Sequence, residues 1–317
     1  MLQRRFALVA LAALPFSARA QERPTRLLVG FPPGGGTDAI ARLLAEALQS
    51  ALGAPVIVDN RPGAGGQLAA QALKAAPPDG TTLLVSHDHT ISILPLVLKN
   101  PGFDPGRDFI PVAGFATFAN ALALSGASPA SSLPAYLAWV KKQGGQANVG
   151  VPAPASVPEF LVKRLGQAHG LDLASVPYRG SAPMVNDMLG QQISAGVGSV
   201  PDLIVHHQQK KLRIVAVMGA HRQPALPEVP TFAELGVGGF EDLPYYGVFA
   251  PAGTPAAALE RLSHALASVI AQPAVNARLT ELGLNVALMT GPQLAARERA
   301  YAAAWARIIK AGGFQPQ

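Results

Sequence analysis

Ser86-His87-Asp88-His89 sets a hydroxyl, two imidazoles and a carboxylate side by side, directly after an apolar run at 82–85. A hydrolase would use Ser86, His87 and Asp88, yet such triads are assembled in space and no G-x-S-x-G motif accompanies them. A metal site would use His87 and His89, whose i, i+2 spacing calls for further ligands that only His206-His207 could suggest. A ligand-contact loop needs only hydrogen bonds at a strand end. That third reading asks least of the chain, and the other two remain open alternatives.

Two glycine-rich stretches carry a different chemistry. Phe31-Pro32-Pro33-Gly34-Gly35-Gly36-Thr37-Asp38 follows the apolar run 27–29. It precedes Ile40, Leu43, Leu44, Ala47, Leu48 and Ala51, whose i, i+3, i+4, i+7 spacing predicts a helix stopped by Gly53. Glycines let the backbone approach a bound group, and the first amides of a helix lack internal partners. A strand feeding such a loop into a helix start suits a carboxylate or phosphate. The loop is neither a Walker A nor a G-x-G-x-x-G dinucleotide motif, and a tight structural turn is the competing explanation. Asn60-Arg61-Pro62-Gly63-Ala64-Gly65-Gly66 repeats the arrangement after the β-branched run 56–58.

Single residues read two ways. Arg179, between Tyr178 and Gly180 and followed by Ser181, offers a donor fork for a carboxylate or for an interlobe ion pair. Arg61 reads as a brace for its own loop. Asp38 sits in a first helical turn, where the helix dipole favours a carboxylate without any ligand. His206-His207 reads as the exposed end of a helix.

Residues 1–20 have the form of a cleavable leader. Arg4 and Arg5 precede an apolar stretch at 6–16, and Ala18-Arg19-Ala20 supplies the small residues of a cleavage site. The stretch is too short to span a bilayer. Export is expected by the Sec route, or by the twin-arginine route given Arg4-Arg5, with a mature chain starting at Gln21 in the periplasm. Without Arg4, Arg5 and Arg19 the chain keeps 22 Lys and Arg against 19 Asp and Glu, a net charge near +3 instead of +6. The basic residues are scattered, which argues against nucleic acid as a partner. With no cysteine, an exported fold must hold by core packing.

Strand and helix signals alternate through the chain, which predicts α/β architecture with largely parallel sheets. Strand–loop–helix units occur in both halves. Ile193 to Val197 and Leu212 to Met218 read as strands, a Thr231/Glu234 capping box as the start of a short helix, and the chain beyond Thr254 as helices broken at Pro273 and near Pro292. The loops after three successive strands share one edge, where open α/β sheets bind ligands.

The residues at 31–38 and 59–66, with Pro78-Asp79-Gly80-Thr81, Asp108-Phe109 and Pro177-Tyr178-Arg179-Gly180, form an ordered set. Leu226-Pro227-Glu228-Val229-Pro230-Thr231, Glu234 and Gly236, then Ala250-Pro251-Ala252-Gly253-Thr254-Pro255, continue it. Covering essentially the whole mature chain, this set resembles the Bug (Bordetella uptake gene) family, periplasmic solute receptors of tripartite tricarboxylate transporters. The resemblance implies a two-lobed periplasmic binding protein of type II-like form, each lobe a doubly wound, mostly parallel sheet with helices on both faces. Lobe I would comprise residues 21–120 and 243–317 and lobe II residues 121–242, with crossings near 112–124 and 241–251 as the hinge. It implies a monomer that closes on a small carboxylated solute without catalysis, metal or cofactor, and that serves a transporter's membrane subunits or a sensor.

The first-lobe grip would fall on Phe31, Pro33, Gly34, Gly35, Gly36, Thr37 and Asp38, with Asn60, Pro62, Gly63, Ala64, Gly65 and Gly66. Selectivity would fall on Ser86, His87, Asp88 and His89, on Pro154, Ala155 and Ser156, and on Tyr178, Arg179, Gly180 and Ser181. One departure stands out: the family commonly has a glycine- and serine-rich loop where this chain has Val151-Pro152-Ala153-Pro154-Ala155-Ser156. Ser156-Val157-Pro158-Glu159 fits a capping box that would satisfy the local amides and compete with an anion, pointing to a less charged, bulkier or aromatic ligand.

Overall fold

The computed structural model describes residues 23–316. The leader and its cleavage site therefore lie outside the described residues. In chain order come β1 (Thr25–Val29), α1 (Gly36–Leu52), β2 (Val56–Asn60), α2 (Gln67–Lys74), β3 (Thr82–His87), α3 (Leu94–Val97), α4 (Pro105–Asp108) and β4 (Phe109–Phe118). There follow β5 (Asn120–Ser125), α5 (Leu133–Lys142), β6 (Gln146–Val151), α6 (Val157–His169), β7 (Asp172–Pro177), α7 (Ser181–Leu189), β8 (Ala195–Ser199), α8 (Val200–Gln208) and β9 (Leu212–Val217). The chain ends with β10 (Tyr245–Pro251), α9 (Ala256–Ile270), α10 (Pro273–Glu281), β11 (Leu284–Thr290) and α11 (Gly291–Ala311).

These strands form two sheets, ordered β11-β4-β10-β3-β1-β2 and β7-β6-β8-β5-β9. The α/β class and the two lobes hold, and both sheets are mixed. In the first, β1 runs parallel to β2 and β3, and in the second β6 runs parallel to β7 and β8, while β10 pairs antiparallel with β3 and β4, and β5 with β8 and β9. The chain changes sheet between β4 and β5, at Ala119, and returns between β9 and β10. The run 112–124 is thus two buried strands with a one-residue joint, and 245–251 is a strand of the first sheet.

Local chemistry explains the elements that frame the cleft. On α1 the buried stripe is Ile40, Ala41, Leu43, Leu44, Ala45, Leu48 and Leu52; of the expected stripe, Ile40, Leu43, Leu44 and Leu48 are buried, while Ala47 is half-buried and Ala51 exposed. Gly53 stops the helix at φ +69, its amide bonding Gln49 carbonyl. The Thr231/Glu234 pair makes both reciprocal bonds, Thr231 N to Glu234 Oε2 at 2.7 Å and Glu234 N to Thr231 Oγ1 at 3.1 Å. It closes a turn rather than a helix, because Gly236 follows at φ +81.

The all-helical reading of the tail is corrected by β11. Its sequence, LNVALMT, is rich in good helix formers and alternates poorly, and it is partly exposed at the sheet edge. Pairing with β4 over Leu284–Val286 and again at Met289 overrides that local preference. Beyond it, α11 buries Leu294, Tyr301, Trp305 and Ile309. Trp305 meets Phe160 of α6 at 5.9 Å between ring centroids, so the last helix packs on both lobes. Among the described residues no helix is long and apolar enough to cross a membrane.

Candidate ligand-binding cleft

The loop between β1 and α1 owes its shape to side chains behind it. Gly35 is the N-cap of α1 in an extended conformation, and no side chain caps that helix. Asp38, 4% exposed, accepts from Gly34 amide at 3.0 Å, Arg42 Nε at 2.9 Å and Asn60 Nδ2 at 2.9 Å. Asn60 Nδ2 also donates to Phe31 carbonyl at 3.1 Å. Burial alone would raise the Asp38 pKa, but the bonds from Arg42, Gly34 and Asn60 outweigh it and hold the carboxyl below its ordinary range. Asp38 and Asn60 fold the loop and do not line the cavity in front of it.

The second glycine loop packs behind the first. Gly65, at φ +65, leaves room for His89: a Cβ there would lie 2.4 Å from His89 Nε2. Thr90 Oγ1 holds Gly65 carbonyl at 2.8 Å. Gly30 and Gly66 bring the two loops into backbone contact, since a Cβ on Gly30 would fall 2.5 Å from Gly66 Cα. Gly63, Ala64 and Gly65 reach an outer recess shared with Pro154, Tyr178, Arg179 and Gly180; Pro62 and Gly66 do not. Arg179 is exposed there and makes no ion pair among the described residues. Arg61 pairs with its neighbour Asp59 at 3.1 Å.

Between the lobes lies a cavity of about 590 Å³, counting the space open to solvent. Its first-lobe wall is Phe31, Gly35, Gly36, Thr37, His87, Asp88 and His89, with Phe118 and Tyr246. The His87 ring stacks on Phe31 with centroids 4.9 Å apart and meets Tyr246 edge-on at 5.4 Å. Such pairs add about 0.5–1.5 kcal/mol beyond their buried area. Tyr246 hydroxyl shares a hydrogen bond with Thr37 Oγ1 at 3.0 Å. Asp88 accepts from Tyr301 hydroxyl at 3.1 Å and pairs with His87 Nδ1 at 3.2 Å. His89 is buried with neither ring nitrogen partnered, and burial lowers its pKa to about 4, so it is neutral at pH 7.

This geometry separates the three chemistries of the 86–89 segment. Ser86 is buried on β3, where neighbouring side chains point to opposite faces, and no bond links it to His87. A Ser86–His87–Asp88 relay is therefore not formed. His87 Nδ1 is taken by Asp88, and among the described residues no three His, Cys, Asp or Glu side chains gather as metal ligands. His206 and His207 end α8 half-buried rather than exposed; His207 Nδ1 accepts from Ile214 amide at 3.1 Å.

The second-lobe wall is Pro152, Ala153, Ser156, Val157 and Pro158, with Ser181, Ala182, Ser199 and Asp202. Here the expected capping box is corrected. Ser156 Oγ donates back to Ala153 carbonyl at 2.7 Å, and Glu159 Oε2 accepts from Ala155 amide at 2.5 Å. The Ser156, Val157 and Glu159 amides keep no protein acceptor among the described residues, because Ala155 at φ +50 turns the loop so that Glu159 meets the residue before the cap. Pro33, Asp38, Asn60, Pro62, Gly66, Ser86 and Ala155 are not lining residues, and Gly34 lies on an outer groove.

The cavity residues that the sequence did not point to include Phe118, Asn120, Ser199, Asp202 and Tyr246. Asp202 carried a signal, since Ser199-Val200-Pro201-Asp202 is a helix-start pattern. The others lie in buried strands or at their ends and carried none.

Two mixed α/β lobes, meeting over a cavity edged by one glycine loop and by helix starts, define a two-lobed binding protein. The family model for the tripartite tricarboxylate transporter family receptor matches residues 40–314. A UPF0065 protein from the tcbD–tcbE intergenic region of Pseudomonas sp. strain P51 is 33% identical over 308 residues, 95% of this chain and 91% of that one. The structure is similar to that of the periplasmic binding protein BugD, with TM-score 0.88 and 31% identity, over 93% of this chain and 99% of that one. An R. palustris protein solved with adipate matches as well, with TM-score 0.88, 29% identity and the same coverage. The chain belongs to the tripartite tricarboxylate transporter receptor family, as its motifs led us to expect. It is a solute-binding protein of that family and not an enzyme.

Proposed function

We propose that this protein captures a small carboxylated solute between its lobes and delivers it to the membrane subunits of a tripartite tricarboxylate-type transporter, or to a sensor. One observation carries the reading. Helix starts from opposite lobes, α1 and α6, bring amides without protein acceptors to one cavity: Gly35 and Thr37 on one side, Ser156 and Val157 on the other. Such donors favour an anion without any cationic side chain. Adipate in a similar protein agrees with that chemistry.

The leader pattern at 1–20 supports export to the periplasm and a mature start at Gln21. The lobes are taken as residues 21–120 with 243–317, and 121–242, acting as a monomer. Calorimetry against mono-, di-, tri- and aromatic carboxylates tests the central claim, and silence across that panel would refute it. Small-angle scattering with a bound acid tests the hinge. A smaller radius of gyration than that of the unliganded protein is expected, and no change would count against closure on the ligand.

A further inference from the structure

The start of α1 already holds a carboxylate. Asp202, on α8 of the second lobe, reaches across the cavity, and its Oδ1 accepts from Gly36 amide at 2.6 Å. Its Oδ2 accepts from Ser181 Oγ at 2.7 Å and Ser199 Oγ at 2.5 Å. Asp202 thus lies where the starts of α1, α7 and α8 converge, held by three donors and by no Lys or Arg among the described residues. Among the described residues no Lys or Arg lines the cavity.

The contact is close from both sides. A Cβ on Gly36 would stand 3.0 Å from Asp202 Oδ1 and from Pro201 Cβ. The neighbouring Gly35 and Thr37 amides remain without protein acceptors, but a second anion brought to them would sit beside Asp202 with no cation between them. Like charges so placed disfavour one another.

The opposite end differs. Ser156 and Val157 offer amides to the same cavity; Glu159 accepts from the adjacent Ala155 amide instead and does not line the cavity. The rings of Phe31, His87, Phe118 and Tyr246 pack on one another and line the same cavity. His89, buried and with both ring nitrogens unpartnered, lines the same cavity.

We propose that Asp202 is the specificity-determining residue of this cleft. Its carboxylate fills the anion position at the start of α1, so the cleft takes one ligand carboxylate, at the start of α6. The remainder of the ligand is an apolar or aromatic body that turns an apolar edge or a hydrogen-bond donor toward Asp202. A dicarboxylate is disfavoured at the first-lobe end. This inference rests on reading the cleft as a carboxylate site.

Two matched pairs of probes isolate the second charge: hexanoate against adipate, and benzoate against terephthalate. Calorimetric affinities are measured for the parent, Asp202→Asn and Asp202→Ser, each first shown to be folded by circular dichroism. The parent is expected to bind the monoacid of a pair at least tenfold more tightly than its diacid. Both substitutions should shrink that ratio at least tenfold, mainly by tightening the diacid. An unchanged ratio in both variants, or a parent that prefers the diacids, overturns the inference and leaves carboxylate binding standing. If none of the four acids binds the parent or either variant, the carboxylate reading fails, and this inference with it.

Discussion

The two loops that face each other across the cleft each leave two amides open, but a carboxylate of the opposite lobe reaches only the first. The first-lobe loop at 31–37 is rich in glycine, yet two of its amides are claimed by carboxylates: Gly34 by Asp38 and Gly36 by Asp202. The second-lobe loop at 152–158 has prolines and alanines in place of glycines; Glu159 of its own helix claims the Ala155 amide, and the Ser156 and Val157 amides stay unclaimed. Glycine content reports how closely a backbone can be approached. Whether its donors are open depends on which acceptors the fold brings opposite them. The loop that looked less suited to an anion therefore has the clearer place for one.

The sharpest way to break this contrast is Gly36→Val. Its side chain would run into Asp202 and Pro201, each 3.0 Å from the first added atom, and force the lobes apart. Affinity for any confirmed ligand should fall more than a hundredfold by calorimetry while circular dichroism stays native. Near-parental binding would mean that the lobes close without this contact.

The next effect probes how far the first-lobe wall depends on buried side chains. His89 has its folded-state pKa lowered to about 4 by burial, with a further push from His87 that Asp88 opposes, against an ordinary value of 6.5. Between those values the unfolded chain binds the extra proton, so stability is complete above about pH 6.5 and falls as pH drops toward 4. The loss approaches about 3 kcal/mol. Melting curves from pH 7 to pH 4.5 should show a falling Tm, and His89→Gln should remove that part of the slope. An identical slope in the variant would assign the effect to other groups.

Val157→Pro tests the second-lobe loop directly. Proline suits a first helical position and removes one amide from the cavity. A lost charge-assisted bond of about 1.5–3 kcal/mol corresponds to a ten- to hundredfold weaker affinity. Ser156→Ala is its control, because the amide survives and only the bond to Ala153 carbonyl is lost; affinity should change less than threefold. Equal effects of the two would show that the amides are not the grip.

Arg179→Ala should do least. The side chain is exposed at the outer recess, so a change in affinity below about threefold is expected, in line with the small worth of exposed charges. A larger loss would move the anion contact from the second-lobe amides to the cleft mouth.

Much of this was legible from residues alone. Periodicity located α1, glycine and proline punctuation located the loops, and the ordered motifs indicated the family and with it the two-lobed fold. Asp38 as a first-turn carboxylate and the Thr231/Glu234 reciprocal pair could be read because both are contacts between near neighbours in the chain. β11 could not, since its local preference is helical and only pairing with β4 makes it a strand. Nor could the Ser156/Glu159 box, whose motif was present but whose bonds were set by Ala155 at φ +50.

The sequence by itself determined where the backbone turns, which faces are buried and which loops lie at one sheet edge, because those follow from short-range sterics and the spacing of apolar side chains. Only the tertiary structure decided which amides remain open. Gly36 and Asp202 are 166 residues apart, and no local rule couples them. The meeting of two lobes made a carboxylate of the chain the occupant of its most anion-like loop.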